Sequence, residues 1–269
     1  MKIIRYFLLS VLLCVSGAFY FYQSNLNPFI KPQTLVTKQY EPFISPARYN
    51  RKYVENENGQ HKHNFRANGV LREYNVYMPE NLGGGLHPAV FLFHGGQRTG
   101  ASMIERWKSL ADKKKFIIIA PHGLRGMWNE HNDATYLIPA LIKAASSKYP
   151  IDQNYMFMFG HSAGGNLVNY SSILYPDLFK GAAIHAGAIH ETRLPKEAAA
   201  HKMPIIYING TNDALFSVSH VTESAQAMAT RGHYTELILI TNHTHWYYDL
   251  APQINAIAWE FFEKKIFKP

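Results

Sequence analysis

Residues 160–164 read Gly-His-Ser-Ala-Gly, at the end of the apolar run Tyr155–Gly160 and ahead of a stretch with helical spacing, Asn166–Tyr175. A serine on a sharp strand-to-helix turn projects its hydroxyl clear of the sheet. Glycines on both sides leave room for neighbouring backbone. The helix that follows adds the positive end of its dipole. Ser162 is therefore a candidate nucleophile, although the pentapeptide alone also fits a glycine-rich helix start. A serine hydroxyl needs a base to take its proton, and the base needs a carboxylate to orient it. Asp213 stands just past the apolar run Pro204–Gly210, and His243 and His245 stand just past Glu236–Ile240. Serine, then acid, then histidine, each at the end of a strand-like run, is the order a G-x-S-x-G serine requires. Asp177 and Asp249 are rival acids that do not directly follow such a run. His245, further into its loop and beside Trp246, is favoured as the base, with His243 as the alternative.

Attack on a carbonyl places negative charge on its oxygen, which calls for two backbone N–H donors. Ala163, the residue after the serine, supplies one. His94-Gly95-Gly96 follows the buried run Ala89–His94 and supplies the other. Gly96 is the expected donor, with Gln97 the runner-up and also a candidate substrate-binding residue. The pairs His243/His245 and His61/His63 lack the neighbouring acidic or histidine partners a metal site needs. This chemistry calls for no metal and no organic cofactor.

The elements that would hold these residues alternate. Leu71–Met78, Ala89–His94, Phe116–Pro121, Tyr155–Gly160, the run around Gly181–Gly187, Pro204–Gly210 and Glu236–Ile240 read as strands, most of them continuously apolar, as in a sheet buried on both faces. Ser102–Lys114, Tyr136–Lys148, Asn166–Tyr175, Val221–Thr230 and Ala251–Lys264 have helical spacing. The fold class is α/β, a mostly parallel central sheet with helices on both faces.

The 269 residues carry a net charge of +8, but unevenly. Lys2 and Arg5 contribute two and residues 25–66 a further four, leaving the body near neutral. With no basic-aromatic platform and no nucleic-acid motif, nucleic acid is not an expected partner. Residues 1–22 form a signal peptide or N-terminal membrane anchor: Lys2 and Arg5, the apolar run Tyr6–Val15, then the small residues Ser16-Gly17-Ala18. Cys14, the single cysteine, follows Leu13, which is too large for lipoprotein processing. Residues 23–66, with Pro28, Pro32, Pro42 and Pro46, read as an extended leader or linker, and 67–269 as one catalytic domain. The expected location is export, periplasmic or extracellular, or anchorage facing outward.

The segments FHGGQRTGAS, IIIAPHGLRGMWN, YPIDQNYMFMFGHSAGGNL, YPDLFKGAAIHAG and INGTNDALF, in that order from about Arg72 to Phe262, resemble the polyhydroxybutyrate depolymerase and feruloyl esterase group of α/β-hydrolases. The resemblance implies Ser162 as nucleophile, Asp213 as acid and His245 as base. It also implies that Trp128 and Asn129 lie near the mouth of the site, Trp128 as a substrate-binding residue. The chain departs from the group in having no cysteine in its mature part. The expectation is a serine carboxylester hydrolase acting on short hydroxyalkanoate, feruloyl or acetyl esters, small or polymeric. A serine peptidase or thioesterase, or a catalytically silent binding protein of the same fold, are the alternatives.

Overall fold

Neighbouring residues of one apolar run go to opposite sides of the sheet. In β4 (His87–Phe93), Val90 and Leu92 enter one hydrophobic cluster, whereas Ala89, Phe91 and Phe93 enter another. In β6 (Ile151–His161), Phe157 and Phe159 alternate in the same way with Met156 and Met158. This is the two-residue period of a strand covered on both faces. The computed structural model describes residues 31–42, 56–196 and 201–267. The expected signal or anchor segment lies outside them. Among the described residues no helix is long and apolar enough to cross a membrane.

The described residues form a nine-stranded sheet in the order β1-β9-β8-β7-β6-β4-β5-β3-β2. The remaining strands are β1 (Val36–Tyr40), β2 (His61–Ala67), β3 (Val70–Tyr77), β5 (Ile117–Pro121), β7 (Gly181–His185), β8 (Ile205–Gly210) and β9 (Thr235–Ile240). β3 runs antiparallel to β2 and to β5, and every other pairing is parallel. The sequence reading recovers β3 to β9. It does not find β1 and β2, which form the two edges of the sheet; β1 lies within the stretch 23–66 read as a leader, and β2 runs one residue past its end. Both are largely exposed and polar, so they lack the buried alternation that marks an inner strand. β1 is fastened to β9 by a 2.5 Å ion pair between Lys38 and Glu236.

Helices α1 (Gly100–Lys114) and α5 (Tyr247–Phe262) cover one face, and α2 (Ile138–Ser146), α3 (Ala163–Leu174) and α4 (Val218–Thr230) the other. On the first face Trp107 lies edge-on to Phe159 with centroids 5.0 Å apart, and Phe116 stacks on Trp259 at 4.3 Å. Each such buried ring contributes about 2–3 kcal/mol of transfer free energy. On the second face, α2 is preceded by the helical turn Glu130–Asn132 and a wider turn, Asp133–Leu137, so this helical segment begins earlier than its apolar spacing indicates. Asp133 explains the extension. It is buried, binds the Arg72 guanidinium at 2.6 Å, and accepts the Asn129 N–H at 2.8 Å.

Candidate active site

Ser162 sits between the end of β6 and the start of α3 with φ 53° and ψ −119°. For a residue with a Cβ this backbone is strained by about 1–3 kcal/mol. Two hydrogen bonds hold it: the Ser162 N–H donates to the His185 carbonyl at 2.9 Å, and the Asn166 N–H donates to the Ser162 carbonyl at 3.0 Å. The flanking glycines have a steric cause. A Cβ on Gly160 would stand 2.2 Å from the Gly164 carbonyl oxygen, and one on Gly164 would stand 2.1 Å from that of Phe93. Helix α3 can pack this close to β6 and β4 only without those side chains.

The structure brings Ser162, His245 and Asp213 into one hydrogen-bonded line. His245 Nε2 lies 2.9 Å from Ser162 Oγ, and His245 Nδ1 lies 2.9 Å from Asp213 Oδ2. An ionised carboxylate only accepts, so Nδ1 carries the proton and Nε2 is left to accept from the serine hydroxyl. The other Asp213 oxygen accepts the N–H groups of Leu215 at 2.8 Å and Phe216 at 2.9 Å. Burial pushes the Asp213 carboxyl up, but hydrogen bonds from His245 and from these two amides outweigh it and hold the group below its ordinary value. Its side chain is fully covered, whereas that of His245 keeps 21% of its surface exposed. Phe216 stacks on the His245 ring at 5.7 Å.

His243 stands elsewhere. It is buried, and its Nε2 lies 3.2 Å from His185 Nε2, with desolvation lowering its pKa to about 4. His185 Nδ1 in turn lies 2.9 Å from His161 Nδ1, so three buried imidazoles form a row beside His245. Desolvation, the first cause, and the neighbouring imidazoles hold His161 and His185 well below the usual histidine range. The row follows from strand register, since His161 and His185 are partners across β6 and β7. Asp177 is exposed and paired with His201, and Asp249 lies in α5. His63 is hydrogen-bonded to the Tyr149 hydroxyl at 2.6 Å. Among the described residues no group of three His, Cys, Asp or Glu side chains is placed to hold a metal.

The Gly95–Arg98 turn faces Ser162. A Cβ on Gly95 would stand 2.8 Å from the His161 ring. The Gln97 N–H donates to the Gly126 carbonyl at 2.8 Å, so it is engaged by the loop that follows β5, while Gln97 lines the cleft. Ala163 is the first residue of α3, where an amide has no partner within its helix. Trp128 does not line the cleft at Ser162. It is 8% exposed and donates its indole N–H to the His94 carbonyl at 2.8 Å, buttressing the strand end that carries Gly95 and Gly96. Asn129 accepts the Asn132 N–H at 2.9 Å and starts the following helical turn.

The cleft over Ser162 has a volume of about 620 Å³. Its lining also includes Arg98, Leu215, Trp246 and Tyr248, to none of which the sequence assigns a role in binding. The Arg98 guanidinium carbon stands 4.9 Å from the Trp246 ring centroid and 5.6 Å from that of Tyr248. Adjacency to Gly96 and to His245 was the available signal for Arg98 and Trp246.

A mostly parallel sheet, a strained serine between β6 and α3, and an acid and a histidine past β8 and β9 define the α/β-hydrolase fold. Comparison with known proteins places the chain beside esterases. The phospholipase/carboxylesterase family matches over residues 127–255. Feruloyl esterase B of Neurospora crassa is 26% identical over 141 residues, covering 47% of this chain and 48% of that protein. Poly(3-hydroxyalkanoate) depolymerase C of Paucimonas lemoignei is 28% identical over 124 residues, 41% of this chain and 29% of that protein. A bifunctional acetylxylan esterase/xylanase of Neocallimastix patriciarum is 26% identical over 161 residues, 58% and 23% respectively. The chain thus spans less than half the length of these relatives. Among solved structures, Est1E from Butyrivibrio proteoclasticus superposes with a TM-score of 0.62 at 14% identity, covering 77% of this chain and 99% of that one. The chain resembles the polyhydroxybutyrate depolymerase and feruloyl esterase group of α/β-hydrolases.

Proposed function

We propose that the protein is a serine carboxylester hydrolase working through Ser162, His245 and Asp213. The observation that carries this reading is the continuous hydrogen-bonded line from Ser162 Oγ through both nitrogens of His245 to the buried Asp213 carboxylate, each link 2.9 Å long. His245 takes the hydroxyl proton as Ser162 Oγ bonds to the ester carbonyl carbon. Asp213 stabilises the imidazolium that results. The N–H groups of Ala163 and Gly96 hold the oxyanion, and the dipole of α3 adds to them. As the tetrahedral species collapses, the carbon–oxygen bond breaks and His245 returns the proton to the leaving alcohol. Water, deprotonated by His245, then attacks the acyl-enzyme and releases the acid.

The relatives are named for feruloyl, acetylxylan and polyhydroxyalkanoate esters, which supports short hydroxyalkanoate, feruloyl or acetyl esters as the substrate class. Lys2, Arg5 and the apolar run after them support export, with the segment either removed or kept as an anchor. The test is labelling with a fluorophosphonate serine probe followed by peptide mapping. Labelling is expected at Ser162, abolished by His245→Ala and retained by His243→Ala. Ester hydrolysis at the wild-type rate by Ser162→Ala would sink the reading.

A further inference from the structure

The cleft over Ser162 carries one formal charge among its described lining residues, and it is the Arg98 guanidinium; no Asp or Glu lines it. Half-buried and in the same turn as Gly96, Arg98 has its backbone N–H on the Gly95 carbonyl at 3.2 Å. Its guanidinium lies over Trp246 and Tyr248. No carboxylate among the described residues pairs with it. Elsewhere in the fold, Arg72 is paired with Asp133 and Arg193 with Glu130.

A guanidinium lying over aromatic rings is held by its face, and its N–H donors point outward along its edge. That edge matches the two oxygens of a carboxylate, and stacking has already removed much of the side chain's freedom. If the cleft received only neutral esters, this charge would have no counterpart.

Building on the ester hydrolase reading, we infer that Arg98 is a substrate-binding residue that selects esters bearing a free carboxylate near the scissile bond. The substrate class is then the acidic ester: an oligoester of a hydroxy acid with a free carboxyl end, or the half-ester of a dicarboxylic acid. Arg98 pairs with the carboxylate through its outward edge while the ester carbonyl sits between Ser162 and the N–H groups of Ala163 and Gly96. Trp246 and Tyr248 hold the guanidinium in place.

The test compares two ligands that differ in one group, the linear dimer of 3-hydroxybutyrate with its free carboxylate and the same dimer as its carboxamide. Binding is measured by calorimetry to full-length Ser162→Ala, which does not depend on turnover, and again with Arg98→Gln added. The acid should bind roughly 10–100-fold more tightly than the amide, as a charge-assisted pair provides. Arg98→Gln should bring that ratio to near one, and Arg98→Lys should restore part of it. In the Ser162-containing protein the kcat/KM ratio of acid to amide should fall in the same way. Equal binding of acid and amide, or a ratio that survives Arg98→Gln, overturns the inference. Failure of the fluorophosphonate probe to label Ser162 would instead overturn the hydrolase reading, while the binding ratio still reports on Arg98.

Discussion

Acid should destabilise this fold well above the pH at which carboxylates titrate, because several histidines are locked in as neutral rings. His94, His233 and His243 are fully buried, and desolvation, the first cause in each, lowers their pKa from 6.5 to about 4. His233 shows the physical reason. Its Nδ1 lies 3.1 Å from the Met203 carbonyl and donates to it, while its Nε2 is buried without a partner. A second proton would be placed on an atom with nothing to accept its hydrogen bond. Below pH 6.5 the unfolded chain takes up protons that the folded chain refuses. Stability is therefore intact above 6.5 and falls as the pH drops towards 4. Linkage gives about 1.4 kcal/mol lost per histidine at pH 5.5 and about 3 at pH 4. Three together cost ~4 kcal/mol at pH 5.5, against a total stability of ~5–15 kcal/mol for a typical domain. The perturbation that isolates one group is His233→Asn, whose amide keeps a donor for the Met203 carbonyl and does not titrate. Urea unfolding at pH 7.5, 6.5 and 5.5 should show the variant losing about 1.4 kcal/mol less than the parent over this range. A parent stability flat from pH 7.5 to 5.5, or an identical loss in the variant, would refute the reasoning.

Gly164→Ala should lower stability by about 3 kcal/mol, read as a lower Tm, because its Cβ would meet the Phe93 carbonyl at 2.1 Å and α3 would have to move away from β4. The same shift should slow probe labelling of Ser162. Asp133→Ala should cost about 3–5 kcal/mol in chemical denaturation by leaving the Arg72 guanidinium buried without its partner. Asp213→Asn should fold, since its amide oxygen can still accept the Leu215 and Phe216 N–H groups. It should lose about three to four powers of ten in ester turnover, because its amide N–H₂ favours the wrong imidazole tautomer.

The line of Ser162, His245 and Asp213 was legible before any coordinates because each residue closes a strand-like run, and strands buried on both faces announce themselves by unbroken apolar sequence. His245 could be preferred to His243 by position alone, but the reason for the preference is three-dimensional: His243 turns inward to His185. Trp128 is read towards the site mouth; the bond from its indole to the His94 carbonyl, next to Gly95, is something that a lone aromatic in a loop does not announce. Arg98 went unnoticed because the rings beneath it lie about 150 residues further along the chain. β1 and β2 were missed for the converse reason. An edge strand with one exposed face and a free rim needs little hydrophobicity, and VTKQY and HKHNFRA have little.

Through β1, the fold supplies its own guard against self-association. β9, Thr-Glu-Leu-Ile-Leu-Ile, is a short, strongly apolar strand, and its outer rim is sealed from Glu236 to Ile240 by residues 36–40. Without them the sheet would end on a bare row of amide and carbonyl groups backed by leucine and isoleucine, the arrangement that templates cross-molecule pairing. A polar segment of five residues, easily taken for packaging, therefore stands where the apolar edge of the sheet would otherwise meet another molecule.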